Sequence, residues 1–226
     1  MARLGTETAF EVLAKARKLE AEGKDVIHLE IGEPDFDTPE HIKQAAVEAM
    51  ANGKTKYAPV QGIMELREAI CAKLKRDNEL EYSPTQVTVG CGAKQDIYNA
   101  MMATLNEGDE VVIPAPYWVS YPDIVLLTGA KPVIVECSEE QGFKLQAKDL
   151  ESKITNKTKW VIINSPSNPT GACYSEDEIK QLAEVLKKQS HVHILSDDIY
   201  EHILYEGFKF FTIAQIHELK DRVLTM

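Results

Sequence analysis

The chain has 226 residues, with 25 Lys and Arg against 36 Asp and Glu, and a formal net charge of −11. That balance argues against nucleic acid or an anionic membrane surface as the main partner, because both would repel it. At 44% hydrophobic and 27% charged residues the composition is that of a globular protein with a sizeable core. No apolar run is long enough to span a bilayer and none follows Met1, so the expected compartment is the cytoplasm.

In chain order, the pattern predicts a helix over Glu7 to Glu22 that ends at Gly23. An extended stretch over Val26 to Ile31 and a loop, Gly32-Glu33-Pro34-Asp35-Phe36-Asp37-Thr38-Pro39, follow it. Thr38 and Pro39 read as the N-cap and first position of a second helix, with Ile42, Ala45, Ala46 and Ala49 at helical spacing and a stop near Gly53. A third, amphipathic helix carries Ile63, Leu66, Ile70 and Leu74. Residues 1–50 are expected to form an N-terminal segment and part of a small domain, and 51–226 an incomplete larger one.

From residue 85 onward the period alternates. Short apolar runs at Val87-Thr88-Val89, Val111-Val112-Ile113, Val133-Ile134-Val135, Val161-Ile162-Ile163, His193-Ile194-Leu195 and Val223-Leu224-Thr225 read as strands. Helical stretches separate several of them: Lys94 to Leu105, with Ile97, Met101 and Leu105 on one face, and Ser175 to Gln189, opened by the capping box Ser175-Glu176-Asp177-Glu178. Strands that are apolar at successive positions are buried on both faces, so the predicted fold class is α/β, a mostly parallel sheet covered by helices.

In such a sheet, ligands bind outside the carboxyl ends of the strands. After residues 87–89, the turn Gly90-Cys91-Gly92-Ala93-Lys94-Gln95 runs into a helix, and small residues there let a phosphate reach the free amides. It reads equally as a tight strand-to-helix connection, and a dinucleotide fingerprint would need a third glycine where Gln95 stands. Pro114-Ala115-Pro116-Tyr117-Trp118 places two aromatics that could stack on a flat ring or pack in the core. Asn164-Ser165-Pro166-Ser167-Asn168-Pro169-Thr170-Gly171 is a proline-stiffened loop able to aim the Asn168 amide. Asp197-Asp198 closes a buried strand, where a carboxylate needs a cation or donors; the two side chains should diverge, and Asp197 is the better candidate for a ligand partner. No metal site is expected, and Cys71, Cys91, Cys137 and Cys173, without a CxxC pair, read as reduced thiols. An anion cradle, an aromatic lid, a fixed amide and a buried acid together describe a site for pyridoxal 5′-phosphate, whose protonated ring nitrogen the acid would hold.

These blocks, with Ile31 to Phe36, Lys56-Tyr57-Ala58-Pro59, Gly62, Pro116 to Tyr121 and Asp197-Asp198-Ile199-Tyr200, make the chain resemble the aspartate-aminotransferase-like class I aminotransferases of fold type I. The resemblance implies an enzyme that transfers an amino group between an L-amino acid and a 2-oxo acid, working as a homodimer. It implies phosphate-binding backbone at Gly92, Ala93 and Lys94, ring stacking by Trp118, contact with the cofactor's phenolate oxygen by Asn168 and Tyr200, and Asp197 on the ring nitrogen. Gly32 would meet the substrate's α-carboxylate, Trp118 and Asn168 would also contact the substrate, and Tyr57 would reach a phosphate in the second subunit. The Schiff-base lysine of the family is expected beyond Met226; Lys209 and Lys220 match no active-site motif, so no catalytic residue is assigned within the chain. The chain is therefore expected to be the amino-terminal part of an aminotransferase. A non-catalytic cofactor-binding module and a lyase of the same fold are the alternatives.

Overall fold

The computed structural model describes residues 8–33 and 36–226. Glu7 of the first predicted helix, and Pro34 and Asp35 of the loop after it, lie outside the described residues. The chain divides into two compact units, one up to Val60 and one over Gln61–Met226.

In the N-terminal unit, α1 spans Thr8–Ala21 and α2 spans Glu40–Ala51. Pro39 rather than Thr38 is the N-cap of α2, and no side chain caps that end. The predicted Thr38 cap is thus not formed, because the helix starts one residue later and its first turn is met by the Pro39 carbonyl instead. The stop near Gly53 is observed: Gly53 takes φ +73°, and the Lys54 amide turns back to the Ala49 carbonyl at 3.0 Å, a closure that a left-handed residue permits. The extended stretch between the helices is tied to α1 by His28, whose Nε2 pairs with Glu20 at 2.9 Å while Nδ1 pairs with Glu30 at 2.7 Å.

The larger unit opens with α3, Met64–Asn78. Its predicted apolar stripe is borne out in its second half, where Ile70 and Leu74 are half-buried, but Leu66 is exposed and Ile63 lies outside the helix as its N-cap; the fully buried residues of the covered face are Arg67 and Asn78. Both are held by hydrogen bonds, Arg67 Nε donating to the Pro84 carbonyl at 2.7 Å and Asn78 to Glu201 at 2.5 Å. Polar burial of this kind is tolerated because each group is satisfied. Residues 87–89, predicted as a strand, are extended but join no sheet; the Val89 amide bonds only to the Gln61 carbonyl, at 3.0 Å. Without a ladder partner among the described residues, apolar character alone does not make a strand.

The remaining elements alternate: α4 Ala93–Thr104, β1 Glu110–Ala115, α5 Ser120–Leu127, β2 Lys131–Glu136, α6 Ala147–Lys153, β3 Thr158–Asn164, α7 Glu176–Lys187, β4 His193–Asp197 and β5 Val223–Thr225. The strands form one sheet in the order β2-β1-β3-β4-β5, every pair parallel. Successive side chains go to opposite faces. Val112, Val161, Ile163 and Ile194 pack with Leu150 of α6 and Leu182 and Leu186 of α7. Val111, Ile113, Ile162 and Leu195 pack with Ile97 and Met101 of α4 and Ile124 and Val125 of α5. Each such side chain contributes about 1.5–3 kcal/mol on burial, so the two-sided core explains the all-apolar strands.

Helix ends are closed by side chains where the chain turns back to the sheet. Ser175 Oγ accepts the Glu178 amide at 3.3 Å and Glu178 accepts the Ser175 amide at 2.8 Å, as the capping box predicts. At the other end of α7, Arg222 donates to the carbonyls of Leu186 and Gln189, both at 3.0 Å, and to that of Val192. A guanidinium there meets both the orphan carbonyls and the negative end of the helix dipole.

Candidate cofactor site

The parallel register sets Asn164 directly beside Asp197, so the ends of β3 and β4 finish side by side. Asp197 is 4% exposed, and its Oδ2 accepts the Tyr121 hydroxyl at 2.5 Å. Its Oδ1 receives only a 3.4 Å contact from the Ile199 amide. Burial pushes the Asp197 carboxyl above the usual carboxylate range, and the Tyr121 and Ile199 donors pull part of the way back. Tyr121 is driven the other way from ionisation, its phenol held protonated by burial and by the neighbouring Asp197 charge. The pair is therefore a phenol donating to a carboxylate. Tyr200 lies within electrostatic reach of the same phenol.

Asp198 diverges from Asp197, as strand alternation requires. Its Oδ1 accepts Ser196 Oγ at 2.8 Å, and Ser196 Oγ also lies 3.2 Å from Thr212 Oγ1. Oδ2 makes no hydrogen bond among the described residues, although the Thr212 hydroxyl lies close enough to favour its charge. Burial, only partly offset by those hydroxyls, pushes Asp198 up to about 7.

From Tyr121 the contacts run outward. Trp118 packs edge-on against Tyr121 with ring centroids 5.3 Å apart, and Lys94 Nζ stands 5.1 Å from the Trp118 ring centre, within cation–π range. Lys94 is the second residue of α4, whose N-cap Gly92 has φ +90° and ψ 156°, a conformation that L side chains rarely adopt. No side chain caps this end of α4, and Ala93 and Lys94 form its first turn, where the helix dipole favours an anion. Gln95, standing where a dinucleotide motif would have glycine, accepts the Cys91 amide at 2.5 Å and so stiffens the turn.

Asn164 links the loops. Its Nδ2 donates to the Asp197 carbonyl at 2.9 Å, and its Oδ1 accepts the Asn168 amide at 2.8 Å. A cleft beneath is lined by Ile113, Pro116, Tyr117, Tyr121, Asn164 and Asn168, among others. The structure thus brings Gly92, Ala93, Lys94, Trp118, Asn168, Asp197 and Tyr200 to the carboxyl ends of the strands of one unit. Gly32 and Tyr57 belong to the N-terminal unit, where both are exposed. Tyr121 and Asn164 are the residues that sequence reasoning left without a role. A signal for each existed: Tyr121 follows Trp118 by three residues, one helical turn, and Asn164 ends a strand parallel to the one ending in Asp197.

The class is thus an α/β protein with a helix N-terminus, an aromatic and a buried acid gathered at the carboxyl edge of a parallel sheet, where such folds bind ligands. Comparison with known proteins narrows this. The family model for aminotransferase class I and II matches residues 24–226, and the chain belongs to that family. It is 56% identical, over its full length, to a probable aspartate/prephenate aminotransferase of Rhizobium leguminosarum bv. phaseoli, of which it covers 57%. It is also 57% identical to the aspartate/prephenate aminotransferase of Cereibacter sphaeroides, covering 56% of it. Among solved structures, the aspartate aminotransferase of Rhizobium meliloti superposes with a TM-score of 0.96 at 51% identity, over 99% of this chain and 56% of that one. The Thermus thermophilus aspartate aminotransferase with maleate gives 0.92 at 43% identity, over 98% of this chain and 57% of that one. The chain spans a little over half the length of the relatives it matches.

The family implies pyridoxal 5′-phosphate as cofactor. The residues present fit it. The Asp197 carboxylate keeps lone pairs on Oδ1 for a ring N–H⁺, the α4 N-terminus offers amides to a phosphate, and the Asn168 side-chain amide is not engaged by any described residue.

Proposed function

We propose that this chain is the cofactor-binding part of a homodimeric, cytoplasmic aminotransferase that moves an amino group from an L-amino acid, aspartate foremost, to a 2-oxo acid. The observation that carries the reading is the unbroken contact series from Lys94 through Trp118 and Tyr121 to Asp197, which puts anion-binding backbone, an aromatic face and a buried acid on one strand edge. When bound, pyridoxal phosphate supplies an electron sink for the bonds at the substrate's α-carbon. The residues then divide the work. Amides of Gly92, Ala93 and Lys94 bind the phosphate, and Trp118 covers the ring. Asp197, fixed by Tyr121, holds a proton on the ring nitrogen, while Asn168 and Tyr200 hold the ring oxygen. Gly32 meets the substrate's carboxylate, and Tyr57, whose side chain is fully exposed, is available to a second copy of the chain. Aspartate as amino donor follows the names of the relatives at 51–57% identity.

The test uses the full-length protein, expressed with the reading frame that follows codon 226. With pyridoxal phosphate, L-aspartate and a 2-oxo acid it should form the corresponding new amino acid, detected by chromatography. Asp197→Asn should lower that rate about a hundredfold or more while the circular dichroism stays that of the parent. Failure to transfer from any amino donor, or unchanged turnover in Asp197→Asn, would overturn the reading.

A further inference from the structure

The segment after β4 is made of turns: residues 199–202 belong to no helix or strand. Two backbone bonds hold it, from the Glu201 amide to the Asp198 carbonyl at 2.9 Å and from the Ile203 amide to the Tyr200 carbonyl at 2.8 Å. A turn held so lightly would let a side chain at its tip wander. Tyr200 sits at that tip, partly buried, and Glu201 beside it is gripped from more than 120 residues away in sequence. Asn78 Nδ2 donates to Glu201 Oε2 at 2.5 Å, Lys73 Nζ donates to Glu201 Oε1, and Lys73 Nζ also donates to Asn78 Oδ1 at 2.9 Å. The three groups close a ring of hydrogen bonds in which each touches the other two. Asn78 is 4% exposed and the Glu201 side chain 13%, so solvent competes weakly for these bonds. The other charges nearby sit outside the ring: His202 Nε2 stands 3.5 Å from Glu201 Oε1, and Asp77 is paired with Arg76.

We propose that Lys73, Asn78 and Glu201 form a clamp between the end of α3 and the turn after β4 that positions the Tyr200 hydroxyl for the cofactor's ring oxygen. The clamp rests on the function proposed above for its cofactor side. None of the three touches the reacting atoms; they are positioning residues that act through the backbone of the 198–203 turn. The clamped carboxylate belongs to the residue next to Tyr200, so a shift of the Glu201 backbone moves the phenol with it. Displacements near 1 Å cost catalytic sites about a hundredfold. The polar burial at the end of α3 has the same explanation: Asn78 is buried there because the Glu201 carboxylate needs a neutral donor beside the Lys73 cation.

Glu201→Gln, Lys73→Met and Asn78→Ala, each in the full-length protein, separate positioning from mere stability. In the cofactor-free protein, hydrogen exchange at the amides of Glu201 and Ile203 should quicken about tenfold in each variant while the β4 amides exchange as before. With pyridoxal phosphate bound, the pH midpoint of its absorbance should rise by about one pH unit, because a phenol donating to the ring oxygen favours the ionised form and that donor is now mispositioned. Lys73→Met combined with Glu201→Gln should shift it no further than either alone, as members of one unit do. Glu201→Gln is nearly isosteric and keeps the experiment decisive if Asn78→Ala does not fold. Unchanged exchange at Glu201 and Ile203 overturns the clamp, as does an unmoved midpoint in variants that only melt earlier. A parent protein that takes up no pyridoxal phosphate refutes the proposed function instead, and exchange still decides whether the clamp holds the turn.

Discussion

The two units of the chain solve the burial problem differently. Within Gln61–Met226, two helix layers sandwich a five-stranded sheet and a dozen large side chains are completely enclosed. Up to Val60, Ala16 is the one described residue that is buried, while Ile27, Leu29, Phe36 and Val60 stand almost fully exposed. The lesson is that hydrophobicity reports a core only where a partner surface exists within the same unit. The larger unit is stabilised by area removed from water; the described part of the smaller shows local ties, the turn closures at Gly23 and Gly53 and the His28 pairs.

That contrast can be tested in order of expected effect. Leu186→Ala, in the enclosed layer over the sheet, should lower unfolding free energy by about 2–5 kcal/mol, whereas Leu29→Ala should change it by less than about 0.5 kcal/mol. Denaturant titration of both variants reads the difference, and equal losses would dissolve the distinction between the units. Next comes Asp198. Its folded carboxyl, raised to about 7 from 3.8, binds its proton more tightly than the unfolded one. This contribution to stability is present at low pH and is lost as pH rises from about 4 to about 7. Asp198→Asn should flatten that fall in a pH series of melts; an unaltered slope would remove the assignment.

A smaller effect distinguishes the two helix starts. Ser175→Ala removes a formed cap and should cost about 1 kcal/mol, while Thr38→Ala, where no cap is formed, should be near neutral. Smallest is the His28 pairing. Glu20 and Glu30 raise the His28 pKa above 6.5, so what it contributes is complete below that value and disappears as pH climbs past the raised one. Exchange of the amides over residues 26–31 should quicken across that window in the parent and be pH-insensitive, beyond intrinsic chemistry, in His28→Gln.

The strands of the larger unit are legible because burial on both faces removes any need for polar residues in them. Residues 87–89 carry the same signature yet form no strand, since a strand is a property of pairs and the sequence of one segment is silent about its neighbour. Two helices are harder to read. α5, Ser-Tyr-Pro-Asp-Ile-Val-Leu-Leu, is apolar around most of its circumference, so its period is blurred, and α6 has seven residues with only Leu150 buried. At the site, Asp197 is readable as a charged residue where charge is costly. Tyr121 is not, because an aromatic near an aromatic looks like packing until its hydroxyl is seen on the acid. The clamp on Glu201 is invisible from sequence for a simpler reason: its partners are more than 120 positions apart, and only the fold makes them neighbours.

Asn164 carries a consequence that concerns chemical substitution rather than geometry. Its one carboxamide donates a hydrogen bond to the Asp197 carbonyl and accepts one from the Asn168 amide, so the position uses a donor and an acceptor on the same short stem. Aspartate would set two lone pairs against a carbonyl, leucine would answer neither, and glutamine would overshoot by a methylene. Asparagine thus couples the strand carrying the acid to the amide loop through a single planar group. A swap there should therefore be felt at both loops at once.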